Sequence, residues 1–231
     1  MLNYLITGTN RGIGLELTKQ LASDSNNLIL ACCRHTSTEL SALAQDHKNI
    51  VIFENVDVLE KHSLYEFEQQ LKNSHLIKKI DVLINNAGIW SESSLSNLNF
   101  DDMNKVLRVN AVGPLIMTDL LLKNNYLQAK SKLIFITSLM GSIADNTSGS
   151  RYSYRMSKAA LNAACKSLTI DLAPQNIYVG IIHPGHLATD MGGPEGDPVS
   201  AAVTNIINRI NELDENKSGQ FFNADGELLP W

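Results

Sequence analysis

Short apolar runs alternate with longer amphipathic stretches from one end of the chain to the other. Leu2–Thr7, Asn27–Cys33, Ile50–Asn55, Ile80–Asn85, Lys132–Ser138, Tyr178–His183 and Gly219–Asn223 read as seven strands. Several are nearly all apolar, as in Leu28-Ile29-Leu30-Ala31-Cys32-Cys33 and Leu133-Ile134-Phe135-Ile136. Strands of that kind are covered on both faces, whereas a half-exposed strand alternates apolar with polar residues. Between the runs the period changes to that of a helix. Ile13, Leu17 and Leu21 share one face, as do Leu64, Phe67 and Leu71, and Leu161, Cys165 and Leu168. Repeated strand–helix–strand order predicts an α/β fold with a parallel seven-stranded sheet, right-handed crossovers and helices on both faces. No linker, internal repeat or shift in composition divides the chain, so residues 1–231 read as one doubly wound, Rossmann-type domain.

Composition narrows the function classes. With 44% hydrophobic and 19% charged residues, the chain can bury a sizeable core. A formal net charge of −5 argues against sequence-independent binding to nucleic acid or to anionic membranes, which needs a basic surface. No apolar run reaches the roughly 18 residues of a membrane span, and Leu2–Thr7 leaves no room for a cleavable leader before the first strand. Cys32, Cys33 and Cys165 cannot all pair and lack metal-ligand spacing; the six histidines lack it too. Reduced, buried thiols and a cytoplasmic location are the expectation.

The segment Thr7-Gly8-Thr9-Asn10-Arg11-Gly12-Ile13-Gly14 follows the first strand directly and opens the first helix. Glycines there allow a sharp turn and let backbone N–H groups approach a diphosphate at the positive end of the helix. The spacing G-x-x-x-G-x-G differs from the G-x-G-x-x-G of longer dehydrogenases. At the end of the second strand an acid would select NAD through its ribose 2′-hydroxyl. This chain has Arg34 instead, and Arg11 within the glycine turn. Each is an ordinary surface arginine when taken alone; together they can hold a 2′-phosphate, which favours NADP(H) over NAD(H).

Tyr154 and Lys158 stand four residues apart on one helical face. An ammonium beside a phenol favours the phenolate, so the spacing predicts a Tyr154 pKa pulled below its usual ~10.

Six ordered motifs together resemble the short-chain dehydrogenase/reductase family along nearly the whole chain. They are Thr7–Gly14, Asn85-Asn86-Ala87-Gly88, Asn110 in Val109-Asn110-Ala111, Ser138, Tyr154-x-x-x-Lys158, and Pro184-Gly185 followed by Thr189. Within that family the glycine turn with its arginine, the stretch His183–Gly193 and the Asp225–Trp231 ending are similar to the C-factor and sniffer-type carbonyl reductase branch. The resemblance implies that Tyr154 gives a proton to the substrate oxygen as hydride arrives from the nicotinamide. It implies that Lys158 holds the ribose hydroxyls, and that Ser138 hydrogen-bonds the carbonyl. It places the cofactor against Gly8, Asn10, Arg11, Gly12, Ile13, Gly14 and Arg34 on the first half of the sheet. Asn86, Ala87 and Gly88 complete that side, with Tyr154, Lys158, Pro184, Gly185, Leu187 and Thr189 on the nicotinamide side.

Asp57, with Val58 beside it, looks like the family's adenine-contacting acid and equally like a helix-start acid before Leu59–Asn73. Pro114 has no N–H to give the carbonyl of Asn110, so the helix Met103–Leu122 is expected to bend there. That bend is either a bare kink or the seat of the proton-relay water that the family assigns to this asparagine. His183 and His186 read as structural or pocket-lining. Trp90, Leu139, Met140, Ile143, Tyr152 and the short loop Met191–Pro198 are expected to select the substrate, and so short a loop predicts an open pocket. Pairing through Met103–Leu122 and Ser157–Leu172, the family's usual interface, predicts a homodimer or homotetramer. The reading is an NADP(H)-dependent reductase of a small aldehyde or ketone, or the reverse alcohol oxidation. The alternative is a C-factor-like, nucleotide-binding signalling or regulatory protein.

Overall fold

The computed structural model describes residues 1–231. Its seven strands are β1 (Leu2–Thr7), β2 (Asn27–Cys32), β3 (Ile50–Phe53), β4 (Val82–Asn85), β5 (Lys132–Ile136), β6 (Tyr178–His183) and β7 (Phe221–Asn223). All pair in parallel in the order β3-β2-β1-β4-β5-β6-β7. Helices α1 (Gly12–Ala22), α2 (Thr38–Asp46), α3 (Lys61–Ser74), α4 (Phe100–Leu107), α5 (Gly113–Lys123), α6 (Tyr152–Leu172) and α7 (Val199–Glu212) lie between them.

The strand alternation divides the core in two. Leu5, Leu30, Leu83, Leu133 and Phe135 face one side, where Leu64, Phe67 and Leu71 of α3, Met117 and Leu121 of α5, and Leu161 and Cys165 of α6 cover them. Tyr4, Ile6, Ile29, Ile84 and Ile134 face the other, under Leu17 and Leu21 of α1, Leu40 of α2 and Val203, Ile206 and Ile210 of α7. Each such side chain taken fully from water contributes about 1.5–3 kcal/mol. The near-continuous apolar strands therefore report two covered faces. Cys32, Cys33 and Cys165 are free thiols buried within these layers.

Several strands stop earlier than their apolar runs. Asn55 takes φ 62° and turns the chain out of β3. Gly219 is left-handed at φ 76° before β7 begins. Ser138 stays extended, but its hydroxyl accepts from the Met140 N–H and starts a short 3-10 turn, Leu139–Gly141.

The long helix expected over Met103–Leu122 is broken as Pro114 requires. α4 runs into a π-helical turn, Arg108–Val112, in which the Gly113 N–H donates to the Arg108 carbonyl, before α5 resumes. A proline one turn after Asn110 removes an α-helical bond, and the wider turn absorbs the loss.

Strand order reverses between β1 and β4, since β2 and β3 lie on one side and β5, β6 and β7 on the other. In such sheets the crevice beyond the strand C-termini at the reversal is where ligands bind. Gly8, Asn86 and Ser138 all lie just past those ends. No helix is long and apolar enough to cross a membrane.

Candidate active site

The glycine turn is shaped by contacts that exclude side chains. Gly8 is left-handed at φ 73°, and a Cβ there would lie 3.0 Å from the Ala87 Cα. A Cβ on Gly14 would lie 2.1 Å from the Gly8 carbonyl oxygen, so α1 approaches the turn more closely than any other residue allows. Asn86 braces the same turn. Its amide donates to the Thr7 and Gly8 carbonyls at 2.9 and 3.2 Å, while the Thr7 hydroxyl accepts from the Asn86 and Ala87 N–H groups at 3.1 Å each. The Asn-Asn-Ala-Gly segment thus ties the end of β4 to the end of β1.

The first turn of α1 carries no acid, and its N-cap residue, Arg11, makes no side-chain capping bond. Unpaired N–H groups at a helix N-terminus, with glycines in front of them, fit a diphosphate. Asn10 and Ile13 are half-buried beside them.

The two arginines differ. Arg34 is exposed and has no ion-pair partner, whereas Arg11 donates to the Asp190 carboxylate at 2.6 Å. Asp57 accepts from the Leu59 N–H at 2.9 Å, a turn-forming bond that leaves its other oxygen uncommitted. Val58 packs on the backbone of Gly113, where a Cβ would come within 2.8 Å of it.

Tyr154 and Lys158 share the buried face of α6, at 8% and 5% exposure. The Lys158 ammonium donates to the Ile136 carbonyl at 2.9 Å and lies 5.6 Å from the centre of the Tyr154 ring. Burial pushes the Tyr154 phenol up to about 12, and a hydrogen bond with Ser138 pulls the other way. The pKa depression expected from the i,i+4 spacing is therefore not what the fold produces. Loss of water is the largest cause, and Lys158 directs its ammonium to the Ile136 carbonyl rather than to the phenol oxygen. The same burial pushes Lys158 down to about 8, with Cys165 acting in the opposite direction.

Asn110 lies behind this pair. Its amide donates to the Ile89 carbonyl at 2.9 Å and to the Ser157 hydroxyl at 3.0 Å, and its oxygen accepts from the Ile89 N–H at 2.8 Å. Gly88 sits between Asn110 and Lys158, since a Cβ on it would lie 3.4 Å from the Asn110 oxygen and 3.8 Å from the Lys158 Nζ.

On the open side, the Trp90 ring lies 4.7 Å from the Tyr154 ring, and the Arg151 guanidinium lies 5.9 Å from the centre of Trp90. Gly149, Ser150 and Arg151 are all left-handed, at φ 63°, 54° and 54°. For the two non-glycine residues that conformation costs about 1–2 kcal/mol each. Ser93 holds them there: its carbonyl accepts from the Arg151 N–H at 2.6 Å and its hydroxyl from the Ser153 N–H at 3.0 Å. Ser93 is 2% exposed, and its place in a polar run, Ser91–Ser94, carried no signal of this role.

The segment after β6 closes on itself. Gly185 is left-handed at φ 95°, Leu187 is buried, and Thr189 lies 3.5 Å from where a Gly12 Cβ would be. The Ala188 N–H donates to the Asp197 carbonyl, the Asp197 N–H to the His186 carbonyl, and the His186 ring pairs with the Gly192 carbonyl at 2.8 Å. The short loop is a knit ring beside the glycine turn rather than a helical lid. His183 is pushed down to about 4, first by burial and then by Lys158, with Asp225 and Asp145 opposing. It stays neutral at pH 7.

The family model for short chain dehydrogenases matches residues 3–199. This chain is a short-chain dehydrogenase. It is 41% identical to the C-signal protein of Myxococcus xanthus, over 66% of this chain and 93% of that one. The carbonyl reductase Sniffer of Drosophila melanogaster superposes on this short-chain dehydrogenase with a TM-score of 0.91 at 33% identity, covering all of both chains. The NADPH-bound carbonyl reductase from chicken fatty liver gives 0.90 at 30% identity, over 99% and 98%. Membership makes the protein an oxidoreductase of a family that binds a nicotinamide nucleotide and acts on small molecules.

Proposed function

We propose that this short-chain dehydrogenase reduces an aldehyde or ketone to the alcohol with NADPH, and that Tyr154 supplies the proton. The observation that carries the reading is that the buried face of α6 sets Tyr154 and Lys158 together, with Ser138 beside the phenol, beyond the strand ends. With Tyr154 up at about 12 and Lys158 down at about 8, the phenol is protonated at neutral pH and the ammonium mostly so. A neutral phenol is the proton donor that carbonyl reduction uses, and the same group takes the proton back in the reverse alcohol oxidation.

Bound NADPH supplies the hydride. The uncapped N-terminus of α1 and the turn Gly8–Gly14 would hold its diphosphate, with Arg34 free for the 2′-phosphate. Lys158 is placed to hold the ribose, and Asp57 to contact the adenine. Ser138, beside the phenol, orients the carbonyl oxygen and stabilises the charge that develops on it. Asn110 fixes the Ile89 backbone and Ser157, and so the height of α6 under the reacting groups. NADPH preference also draws on the NADPH-bound state of the chicken relative.

The experiment follows NADPH and NADH oxidation over a panel of aldehydes and ketones, comparing wild type with Tyr154→Phe. Turnover lost by about 10²-fold or more, with nucleotide binding retained, supports the reading. No turnover of any carbonyl by wild type, with nucleotide still bound, defeats it. That second outcome favours a regulatory protein that binds nucleotide without turnover, which the 41% identity to the C-signal protein supports. Self-association belongs to the same proposal. Phe100 and Met156 are exposed around a groove between α4 and α6, and Val112, Leu115 and Ile116 are exposed nearby on the next helical segment.

A further inference from the structure

Arg151 is a poor choice for its position by every local rule. As the N-cap of α6 it makes no side-chain capping bond, where Ser, Thr, Asp or Asn would. Its φ of 54° is a conformation that glycine and asparagine take readily and arginine does not. Its positive charge sits at the positive end of a 21-residue helix. Local conflicts that a protein keeps tend to mark functional places.

The guanidinium is not spent within the chain. It makes no ion pair and no hydrogen bond, although Arg155, one turn on, is engaged with Gly149 and Ser148. Its one defined contact is with the Trp90 ring, which in turn packs on Tyr154. A cation with free donors is thus held at the rim of the site, one aromatic ring away from the phenol. A guanidinium over a ring face retains the in-plane N–H fork that binds a carboxylate through two bonds.

We infer that Arg151 is a specificity residue that binds an anionic group on the substrate, a carboxylate in the first instance, while Trp90 carries the apolar body and Tyr154 addresses the carbonyl. The substrate class is therefore an oxo-acid, an aldehyde or ketone that also carries a carboxylate. This inference rests on the reductase reading given above and goes further by naming the substrate's charge.

The test compares 4-carboxybenzaldehyde with its methyl ester, which has the same reacting group and nearly the same shape without the charge. Wild type, Arg151→Asn and Arg151→Lys are assayed with saturating NADPH. Asparagine tolerates the left-handed backbone and caps the helix, so that variant keeps its fold, as a melting curve checks. Wild type is expected to prefer the acid by about 10-fold or more in kcat/KM, the worth of a charge-assisted bond. Arg151→Asn should lose that preference through a higher KM for the acid, with the ester changed less than about twofold. Arg151→Lys should recover part of it. An equal change on both substrates, or no change on either, overturns the inference.

Terephthalate binding, followed by quenching of tryptophan fluorescence in the NADPH complex, gives a readout independent of turnover. Binding that weakens about 10-fold in Arg151→Asn supports the carboxylate site, and binding unaffected by the substitution overturns it. If no carbonyl of the panel is reduced but terephthalate still binds through Arg151, the reductase reading fails and the anion site stands.

Discussion

The Asn110 amide donates to the Ser157 hydroxyl at 3.0 Å, and that hydroxyl in turn donates to the Tyr154 carbonyl at 2.8 Å. The π-helical turn is thereby tied to the helix that carries Tyr154 and Lys158, at the residue directly before Lys158. Both partners are buried, Asn110 at 1% exposure and Ser157 at 0%. Asn110→Ala would strand the Ile89 N–H and carbonyl, while the Ser157 hydroxyl keeps its bond to the Tyr154 carbonyl. Each buried orphan costs about 1–3 kcal/mol, though small shifts relieve some of that. A loss of about 2–4 kcal/mol is expected, seen as a Tm lower by roughly 5–12 °C. Ser157→Ala should cost about 1 kcal/mol, because the Asn110 amide keeps its bond to Ile89. Equal losses from the two substitutions would show that Asn110 does not organise this corner.

The bend at Asn110 was legible in the chain because its cause is covalent: Pro114 lacks an N–H whatever surrounds it. The strands were legible for a comparable reason, since a residue run covered on both faces must be apolar throughout. Contacts between distant segments were not. Ser93 and Ser153 meet across 60 residues, and Arg11 and Asp190 across 179, with no periodicity to announce either pairing. Spacing alone points the Tyr154 pKa downward where burial raises it, because spacing gives the distance to a charge and not the water that folding removes. Motif residues such as Asn86 were found, but their bonds to Thr7 and Gly8 needed coordinates.

Nucleotide choice should divide unequally between the two arginines. Arg34 is unpaired, so Arg34→Ala is expected to raise the Kd for NADPH by about 10-fold or more and to leave NADH within about twofold. Arg11 is shared with Asp190, both of them well exposed, so Arg11→Ala should cost NADPH less. Asp190→Asn frees Arg11 and should tighten NADPH by a few-fold, more at low salt than at high. Fluorescence titration at two ionic strengths measures all three. Equal affinity of the wild type for NADH and NADPH would remove the basis of this assignment.

Lys158 ties activity and stability to pH in opposite senses. Its folded pKa of about 8 lies below its ordinary value of 10.5. Between those values the unfolded chain binds more protons than the folded one, so this group's contribution to stability rises as pH rises from 8 toward 10.5. Activity should move the other way. If the ammonium is needed, kcat/KM for NADPH falls above pH 8, while Tyr154, at about 12, stays protonated across that range. Lys158→Met should abolish turnover and yet raise stability at pH 7 by roughly 1–3 kcal/mol, because a buried charge is removed. The gain should shrink as pH approaches 10. A variant less stable than wild type at pH 7 would mean that the bond to Ile136 outweighs the burial of the charge.

Close packing at Gly14 makes the sharpest demand on the sequence. A Cβ there would meet the Gly8 carbonyl oxygen at 2.1 Å and the Asn86 amide at 2.6 Å, and the first of these is backbone that cannot swing away. Gly14→Ala must therefore push α1 off the turn or distort Gly8, breaking the bonds from Asn86 that hold Thr7 and Gly8. Overpacking of this kind costs about 1–3 kcal/mol, which corresponds to roughly 3–10 °C in Tm. The larger effect is expected on ligand response, since the displaced N–H groups are those proposed to hold the diphosphate. Wild type should melt several degrees higher with saturating NADPH, and Gly14→Ala should show little or no such rise. Gly193→Ala is the control, because its φ of 79° adds strain but no atom lies within 4 Å of the new methyl. It should lower Tm modestly and keep the full response to NADPH. A Gly14→Ala protein that melts and responds like wild type would show that helix and turn are not locked together, and that the diphosphate is held elsewhere.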